Sequence, residues 1–430
     1  MKYDVLIIGG GLAGLTCGIR CAEKGLRTAI ISGGMNSLHF SSGSIDLAGY
    51  DEDGEVVKKP FDQVKKICRT RMDHPYAKAG LPVIKKSMDF FIDKTSSAGL
   101  TLNHNADMNH FHITGLGMLK PAYLSQESVF SPRGLEVVNS REKIAVMNFK
   151  GFRDYYPEQT AAYLKKNRIF ADREIVLGEV SLPWYMNTQK NLNEFRSTDL
   201  ARIFETEKYL PRIAEEIRRA AGDATTVSLP AFLGINNYRA IRKRLEEMTG
   251  KFIYEIPTLP PSILGLRIDH ALKDSFIGHG GEFIAGERAE SGPSDSGMLE
   301  YINTRNTGRE PVSAKFYVLA TGSFFSGGLT SDSQKIMEPV FNFKVNADGK
   351  RSKWYSWFFF DAKSHPFLSY GVETDKNFNP VNDRGRTVEN VFCAGAVLSG
   401  YDPVREGCGG GVAISSGFAC AEKITGELKK

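Results

Sequence analysis

Tyr3 to Ile19 read YDVLIIGGGLAGLTCGI, an apolar run, a glycine cluster and a second apolar run. The first run predicts a buried strand, and the second predicts a helix that starts directly after the glycines. Between them, Gly9, Gly11 and Gly14 form the pattern G-x-G-x-x-G. Such glycines permit a tight turn, admit a pyrophosphate and let the helix pack on the strand. The stretch predicts a Rossmann-like unit with a phosphate at the helix N-terminus, and a glycine-rich turn without a ligand is the alternative.

The second strand of such a unit normally ends on an acidic residue that binds a ribose. Here the apolar stretch LRTAI, residues 26–30, is followed by Ile31 and then by Ser32 at the acid's position. A serine hydroxyl can make one hydrogen bond to a ribose, but it lacks the two acceptor oxygens of a carboxylate. Ser32 is therefore a weaker cofactor-binding candidate on the adenosine side, and the predicted phosphate site is unaffected.

Composition narrows the class of protein. The chain has 430 residues and a net charge of +5, which is small for this length and does not suggest a nucleic-acid partner. The six cysteines form no CxxC pair, so neither structural disulfides nor a metal site is expected. The sequence has no apolar run of about 18 residues and no recognisable signal peptide. We therefore expect a protein of a reducing compartment without direct membrane insertion.

Two later stretches predict where the chain returns to the same cofactor. Residues 315–323, KFYVLATGS, read as a buried strand that ends at Thr321 and Gly322, as is common where a flavoprotein chain closes over its cofactor. Residues 387–417 contain a short strand, Gly395, a loop and a glycine-rich helix start. N–H groups at such a helix start stabilise the negative charge of a reduced flavin, whereas a glycine-capped helix packed on a sheet is the alternative. The glycines at this start are Gly409, Gly410 and Gly411.

These elements predict an α/β fold with a discontinuous, two-part, Rossmann-like flavin-binding domain and an inserted α+β cap domain. The flavin-binding domain is expected at residues 1–50, 253–340 and 376–430. Amphipathic helical stretches mark residues 51–252 as the inserted domain, which would bind substrate or a partner. Residues 341–375 read as a small strand-rich insert.

Four segments carry a resemblance to a known family. They are residues 9–15 (GGGLAGL), 37–47 (SLHFSSGSIDL), 259–267 (LPPSILGLR) and 401–413 (YDPVREGCGGGVA). With them the chain resembles the B subunits of bacterial anaerobic glycerol-3-phosphate dehydrogenases over nearly its whole length, and the HFSSGS loop is the most distinctive part. The resemblance implies a flavoprotein that is assigned FMN, and the pyrophosphate-type turn keeps FAD as the alternative.

The resemblance also implies partners and a location. The family works with a second flavin subunit and a membrane-bound iron–sulfur subunit. The complex oxidises glycerol 3-phosphate to dihydroxyacetone phosphate and passes the electrons to quinone, for fumarate or nitrate respiration. The chain is then expected in the cytoplasm, held at the inner membrane through its partners. A stand-alone flavin oxidoreductase of the fumarate-reductase type and a non-catalytic flavin electron relay are the alternatives.

The distinctive loop is rich in hydroxyl groups. Ser41, Ser42 and Gly43, followed by Ser44, come shortly after the predicted second strand. We interpret them as hydroxyls and backbone donors that face the flavin phosphate or ring. A plain Ser/Gly turn is the alternative.

Three side chains are candidates for the substrate chemistry, which needs a base for the hydroxyl proton and a cation for the phosphate. His39 is the candidate base, with a structural, hydrogen-bonded histidine as the alternative. Arg405 and Arg267 are the candidate cations. Arg405 is favoured because it precedes the glycine-rich helix start, and a salt bridge to Asp402 or Glu406 is its alternative.

The aromatic run WYSWFFF, residues 354–360, has two interpretations. It can be a strand with aromatic side chains packed on both faces, or an exposed patch that docks a partner subunit. The exposure of these side chains separates the two interpretations.

Overall fold

The computed structural model describes residues 2–129, 143–182, 194–292, 297–305, 311–382 and 384–429. The helices are α1 (Leu12–Glu23), α2 (Pro60–Thr70), α3 (Pro75–Ala79), α4 (Leu81–Ser97), α5 (Pro157–Lys166), α6 (Ser197–Glu205), α7 (Leu210–Ala221), α8 (Tyr238–Thr249), α9 (Ile263–Gly278) and α10 (Gly409–Glu427). Short 3-10 helices span Ser37–Phe40, Glu207–Tyr209, Phe324–Ser326, Arg351–Lys353, Pro366–Ser369 and Gly395–Val397. Across the described ranges, every helix is too short or too polar to cross a bilayer.

Nine of the described strands form two larger sheets, and the others pair two by two. The strands are β1 (Lys2–Ile8), β2 (Thr28–Ser32), β3 (Leu102–Asn103), β4 (His110–Ile113), β5 (Leu119–Ala122), β6 (Ser125–Gln126), β7 (Ile144–Phe149), β8 (Ile175–Val180), β9 (Thr226–Pro230), β10 (Phe252–Ile256), β11 (Glu282–Ala285), β12 (Ala289–Ser291), β13 (Asn303–Thr304), β14 (Ser313–Leu319), β15 (Thr330–Ser331), β16 (Ile336–Met337), β17 (Val345–Asn346), β18 (Gly371–Val372) and β19 (Val391–Cys393).

The larger sheet has five parallel strands in the order β11-β2-β1-β14-β19. Its strands come from separate parts of the chain, and β1 at the centre pairs with β14 through registers such as Val5↔Phe316. All five residues of β2 are buried. Parallel strands that are covered on both faces read as continuous apolar runs, which is why the sequence indicated them clearly. The predicted α/β class is confirmed.

Small residues let the helices approach this sheet and one another. A Cβ on Gly18 of α1 would lie only 2.8 Å from Ile30 Cδ1 on β2. A Cβ on Gly417 of α10 would overlap the carbonyl oxygen of Ala13 on α1. The first helix and the last helix of the chain therefore pack against each other beside β1.

The second sheet has four parallel strands in the order β10-β9-β7-β8. These strands alternate with α5 to α8 along the chain, so this region has an α/β pattern where an α+β arrangement was expected. The boundary expected at residue 253 falls inside β10, which pairs with β9. The chain returns to the larger sheet only with α9 and β11.

The first part of the expected inserted domain packs on the larger-sheet side. Phe90 of α4 contacts Phe418 of α10, with 5.2 Å between the ring centroids. Tyr76 of α3 is fully buried, and its hydroxyl donates to the carbonyl oxygen of Leu47 at 2.6 Å. Residues 51–252 thus contain two structural parts, the helices α2 to α4 and the second sheet with its helices.

Residues 341–375 do not have the strand-rich character that the sequence suggested. They contain only the two-residue strands β17 and β18, which pair with each other, and two 3-10 helices. The side chains of Trp357, Phe358, Phe359 and Phe360 are 89%, 70%, 80% and 92% exposed, and none of them lies in a strand. The interpretation of a packed strand is wrong, and we call these four residues the aromatic patch.

Candidate functional site

The glycine turn has the geometry that close packing requires. Gly9 has a φ of +117°, and a Cβ there would overlap the carbonyl oxygen of Ala320 at the end of β14. A Cβ on Gly14 would overlap the carbonyl oxygen of Gly9. Both positions exclude a side chain because of the protein's own backbone. Gly9 and Gly14 therefore hold β1, α1 and β14 together.

Gly11 differs from its two neighbours in the motif. It is the N-cap of α1, and no side chain caps the helix there. The nearest atom to a Cβ on Gly11 is Asn36 Cβ, at 3.8 Å, so the space in front of the helix start is open to a small group. The first N–H groups of a helix have no partner within the helix and favour an anion. The turn fits a phosphate at this point.

Thr321 supplies a second observation at the same place. Its Oγ1 is buried and has no hydrogen-bond partner among the described residues. Thr321 follows β14 and touches the glycine turn, because a Cβ on Gly9 would lie 3.0 Å from Thr321 N. Gly322, with a φ of +84°, turns the chain away directly after it. A buried hydroxyl without a partner beside a phosphate-type turn fits a bound cofactor.

At the position where a carboxylate normally binds the ribose, this chain has the hydroxyl of Ser32. Ser32 is buried at the end of β2, and its Oγ donates to the carbonyl oxygen of Gly34 at 3.2 Å. The neighbouring strand β11 brings Arg288 over Gly33, since a Cβ on Gly33 would lie 2.6 Å from Arg288 Cγ. Arg288 carried no signal in the sequence, because only the pairing of β11 with β2 brings it to this position.

The start of α10 is packed against the chain that follows the serine loop, residues 41–44. Gly411 N donates to the carbonyl oxygen of Asp46 at 2.8 Å, and a Cβ on Gly410 would lie 3.2 Å from Asp46 N. A Cβ on Gly409 would lie 3.2 Å from the Cβ of Pro403. The glycines at this start therefore let two backbone segments meet.

Gly395 links the same helix to α1. Its N–H donates to Ser416 Oγ of α10 at 2.9 Å, and a Cβ at Gly395, where φ is +77°, would lie 2.7 Å from Ala13 Cβ. The structure thus brings the glycine turn, the end of β14, the turn at Gly395 and α10 together around α1, as the order of these motifs predicted.

The serine loop makes two different sets of contacts. Ser41 Oγ donates to the carbonyl oxygen of Leu38, which closes the short 3-10 helix. Ser42 Oγ lies 3.0 Å from Ser44 Oγ, so these two hydroxyls form a pair. Gly43 has a φ of +73°, and a Cβ there would overlap Leu264 of α9. Gly43 therefore fits the loop tightly against α9, whereas the Ser42–Ser44 pair contacts Lys120 of β5.

His39 belongs to a polar network behind the glycine turn. Its Nε2 lies 3.3 Å from Asp269 Oδ2, and Lys273 Nζ lies 2.7 Å from the same carboxylate. Asn36 Nδ2 donates both to Asp269 Oδ1 at 2.6 Å and to the carbonyl oxygen of Gly10 at 2.8 Å. Burial raises the pKa of Asp269, but the hydrogen bonds from His39, Lys273 and Asn36 outweigh it and hold that pKa below its usual value. The network connects α9 to the turn.

Arg267 faces the second sheet. Its Nη1 lies 2.6 Å from Glu255 Oε2 and its Nη2 lies 3.0 Å from Glu255 Oε1, and both side chains are buried. Its Nε donates to the carbonyl oxygen of Gly234, and its Nη1 also contacts Ser128 at 3.1 Å. A buried bidentate pair of this kind is costly to break, because either partner alone would be an uncompensated buried charge. The geometry favours a structural role for Arg267.

Arg405 is exposed at the rim of a cavity of about 350 Å³. Its Nη2 donates to the carbonyl oxygen of Glu52 at 2.8 Å. The cavity is also lined by Arg71, Lys363 and His365, and by the carboxylates of Asp51, Glu52, Asp402 and Glu406. The alternative for Arg405 was a salt bridge to Asp402 or Glu406. Glu406 instead pairs with Arg71 at 3.0 Å and with His74 at 3.1 Å. The guanidinium of Arg405 therefore has donors available at the cavity.

One group of potential metal ligands lies beside the start of α10. His74, Glu406 and Cys408 have ligand atoms within 4.8 Å of one another. Burial raises the pKa of the Cys408 thiol well above its usual value, so the thiolate that a metal needs is disfavoured. Burial raises the pKa of Glu406 as well, but the His74 contact outweighs it and lowers that pKa. The group is best described as a hydrogen-bonded cluster around the Glu406 carboxylate, which also pairs with Arg71.

The three candidates for substrate chemistry are not brought together. His39 contacts the glycine-turn network, Arg267 contacts the second sheet, and Arg405 lines the cavity. Two further polar residues carried little signal in the sequence, Asn36 and Lys120, whose Nζ contacts the serine loop through Ser44 at 3.1 Å. For the network around His39, the sequence did carry one signal. Asp269 and Lys273 are four residues apart, which places an acid and a base on the same side of a helix.

Comparison with known proteins defines the class. The family described as FAD binding domain matches residues 4–412, which is most of the chain. The chain therefore belongs to this family of flavoproteins and has a Rossmann-like flavin-binding fold. The glycine turn, the open helix start at Gly11 and the buried Thr321 hydroxyl agree with a flavin cofactor.

Full-length relatives define the family more narrowly. The B subunit of anaerobic glycerol-3-phosphate dehydrogenase from Aliivibrio fischeri (strain MJ11) is 38% identical over 441 residues, which cover 100% of this chain and 96% of the relative. The proteins of the same name from Vibrio cholerae (strain N16961) and Actinobacillus pleuropneumoniae are 38% and 35% identical, over 99% of this chain and 97% and 100% of their own lengths. The chain belongs to the family of these B subunits, as its sequence motifs predicted.

Among solved structures, 3-ketosteroid delta1-dehydrogenase from Sterolibacterium denitrificans matches 99% of this chain and 100% of its own length. The two share 10% sequence identity, and the TM-score is 0.47.

Proposed function

We propose that this flavoprotein oxidises glycerol 3-phosphate to dihydroxyacetone phosphate as one subunit of a respiratory complex and passes the electrons towards quinone. Membership of the B-subunit family supports the substrate and the reaction. The observation that carries the proposal is the uncapped, open start of α1 at Gly11, because it offers backbone donors to a flavin phosphate.

The direct experiment follows reduction of an artificial electron acceptor by the purified, flavin-loaded protein. Glycerol 3-phosphate should support turnover, and glycerol at the same concentration should not, because it lacks the phosphate. Bound flavin without any turnover would favour the alternative of a flavin electron relay. Turnover with fumarate as the acceptor would favour the fumarate-reductase type.

We infer that the flavin is FAD. The family match and the pyrophosphate-type turn support FAD over the FMN that the resemblance implied. Gly9, Gly11 and Gly14 would hold the phosphates, Thr321 Oγ1 would accept or donate one hydrogen bond, and the start of α10 would lie near the ring. The flavin supplies a two-electron acceptor for the substrate's hydride. Release of the cofactor by denaturation, followed by mass measurement, tests FAD against FMN.

Arg405 is the proposed anion-binding residue. It is exposed at a cavity that is also lined by two further cations, Arg71 and Lys363, and by four carboxylates, so an anion has to be held by direct hydrogen bonds rather than by the net charge of the lining. Glu406 already pairs with Arg71, so Arg405 and Lys363 are the cations proposed to donate to the phosphate. An arginine can hold a phosphate with two parallel hydrogen bonds, which fixes its orientation as well as its position.

His39 is assigned a positioning role. Its ring Nε2 lies within hydrogen-bonding distance of the Asp269 carboxylate, and Asn36 Nδ2 donates to that carboxylate and to the carbonyl oxygen of Gly10. The proposed effect of His39 is therefore on the geometry of the turn and on flavin affinity, rather than on the substrate proton.

The aromatic patch is proposed to dock a partner subunit of the same complex. Four large side chains with 70% or more of their surface exposed form an apolar area of a kind that marks protein interfaces. The relatives are named as one subunit among several, which supports a partner protein as the occupant. The family resemblance suggests the iron–sulfur subunit that holds the complex at the membrane.

Replacing Trp357 and Phe360 by Ser should abolish co-purification of the partner subunits and leave flavin content unchanged. As a control, the exposed Leu116 changed to Ser should leave the complex intact. Sedimentation of the wild-type chain with protein-free lipid vesicles, lost in the double variant, would instead identify the patch as a membrane-binding surface.

A further inference from the structure

The β4–β5 hairpin carries three titratable side chains on one face, and one of them, Lys120, contacts the serine loop. His110 and His112 alternate onto the same face of β4, and Lys120 of β5 lies directly opposite His112. Lys120 Nζ lies 2.6 Å from Asp46 Oδ2. It also lies 3.1 Å from Ser44 Oγ. We call His110, His112 and Lys120 the hairpin face, and it contacts the chain that leads from the serine loop to the start of α10.

His112 has hydrogen-bonding capacity that the protein does not use. It is 1% exposed, and its Nε2 has no hydrogen-bond partner within the described ranges. Its Nδ1 lies 3.4 Å from Ser125 Oγ, and the same hydroxyl lies 2.7 Å from His110 Nε2. Leaving a buried polar atom unsatisfied costs free energy, so an unpaired ring nitrogen calls for a partner.

The electrostatics of the cluster favour a neutral ligand group. Burial, with smaller effects of Lys120 and His110, lowers the pKa of His112 to about 3, so its ring is neutral at physiological pH. The charge of Lys120 is balanced by Asp46. An anion placed here would meet the Asp46 carboxylate, whereas a hydroxyl can donate to a ring nitrogen and accept from an ammonium at the same time.

We propose that His112 Nε2 hydrogen-bonds the substrate hydroxyl that is oxidised, in a subsite that Lys120 and the Ser42–Ser44 pair complete. The inference rests on the proposed function. The serine loop is expected to face the flavin, so a hydroxyl held against this loop is the one beside the flavin. The side chain of Lys120, opposite His112 on the hairpin, is 30% exposed, so this end of the hairpin face reaches the surface.

Two variants of His112 separate this role from a structural one. In His112→Asn, the amide keeps the contact to Ser125 but leaves the Nε2 position vacant. In His112→Gln, the longer side chain places an amide near Nε2. Thermal unfolding of both variants checks that the hairpin still folds. His279→Gln, an exposed histidine at the end of α9, is the matched control.

The readout compares two ligands of the flavin-loaded protein. One is glycerol 3-phosphate, measured as kcat/KM, and the other is 3-hydroxypropyl phosphate, which lacks the middle hydroxyl and is measured as an inhibition constant. His112→Asn should lower kcat/KM for glycerol 3-phosphate by roughly three- to tenfold, the effect of one neutral hydrogen bond. The inhibition constant should not change, because the analogue has no hydroxyl for His112 to bind. His112→Gln should recover part of the loss.

Equal shifts of both constants in His112→Asn would overturn the inference and assign His112 to the structure of the hairpin. Unchanged constants in the same variant would overturn it as well. If the wild-type protein neither oxidises glycerol 3-phosphate nor is inhibited by the analogue, the proposed function itself fails, and that result is distinguishable because it appears before any substitution.

Discussion

Gly11→Ala and Gly14→Ala should affect the glycine turn in different ways, because the two positions differ in the space available for a side chain. A Cβ on Gly11 meets nothing closer than 3.8 Å, whereas a Cβ on Gly14 would overlap the carbonyl oxygen of Gly9. Gly11→Ala therefore leaves the protein folded and places its methyl group where we expect the flavin phosphate. Gly14→Ala must move α1 away from the turn, so it should damage the fold as well as the site.

The magnitudes follow from these distances. The backbone of Gly11, with φ −86° and ψ −172°, is open to any residue, so the main cost of Gly11→Ala is that of a poorer N-cap, about 0.5–1 kcal/mol. Loss of one charge-assisted hydrogen bond to the phosphate costs about 1.5–3 kcal/mol, which weakens flavin binding by roughly ten- to a hundredfold. Gly14→Ala should lower the free energy of unfolding by about 1–3 kcal/mol or more through overpacking.

Two assays on the apoprotein and the loaded protein read these effects separately. Urea unfolding of the apoprotein gives the change in stability, and quenching of flavin fluorescence gives the dissociation constant. Gly11→Val should abolish flavin binding altogether, because its side chain is larger. Wild-type flavin affinity in Gly11→Ala would refute the reasoning, since no phosphate could then lie at the start of α1.

The remaining predictions concern charged and titratable groups. Arg405→Ala should raise KM for glycerol 3-phosphate roughly ten- to a hundredfold, and Arg405→Lys should recover only part, with the exposed Arg202→Ala as control in the same kinetic assay. His39→Gln should weaken flavin binding roughly three- to tenfold in a fluorescence titration; normal flavin affinity with lost turnover would make His39 the base instead. Burial lowers the pKa values of His110 and His112 to about 4 and about 3, while unfolded histidines titrate near 6.5. Below about pH 6.5 the unfolded chain therefore binds more protons, and the free energy of unfolding should fall towards pH 4 by about 1.4 kcal/mol per pH unit for each histidine. His110→Gln should reduce that slope in urea unfolding measured between pH 4 and 7; an unchanged slope would show that His110 is not held neutral.

The glycine turn and its strands could be predicted because their signals are local. Gly9, Gly11 and Gly14 lie in one short stretch, in which Gly9 and Gly14 pack against backbone and Gly11 leaves the helix start open, and a spacing pattern preserves this arrangement. The buried strands that carry the turn and Thr321 are continuous apolar runs, which identify a parallel sheet directly.

The contacts of the polar residues in the proposed substrate site could not be predicted in the same way. His112 and Lys120 meet only through the register of a short hairpin, and Asp46 reaches Lys120 across a separate loop. Arg267 was a candidate anion site in the sequence, but it pairs with Glu255 on β10 of the second sheet, and nothing in the sequence pattern indicates that pairing. Such pairings depend on tertiary contacts, and the sequence carries no spacing for them.

The aromatic run was ambiguous for a related reason. A string of aromatic residues is as compatible with a packed strand as with an exposed surface, because both place large apolar side chains at successive positions. Only the exposure of Trp357 and its neighbours distinguishes the two interpretations.

The central claim is that this chain holds a flavin which glycerol 3-phosphate reduces. The most direct measurement is an anaerobic mixing experiment on the flavin-loaded protein, in which the absorbance band of the oxidised flavin is followed after addition of glycerol 3-phosphate. We predict that this band is lost and that one dihydroxyacetone phosphate is formed for each flavin reduced. An oxidised band that persists with glycerol 3-phosphate, in a protein whose flavin dithionite still reduces, would contradict the claim.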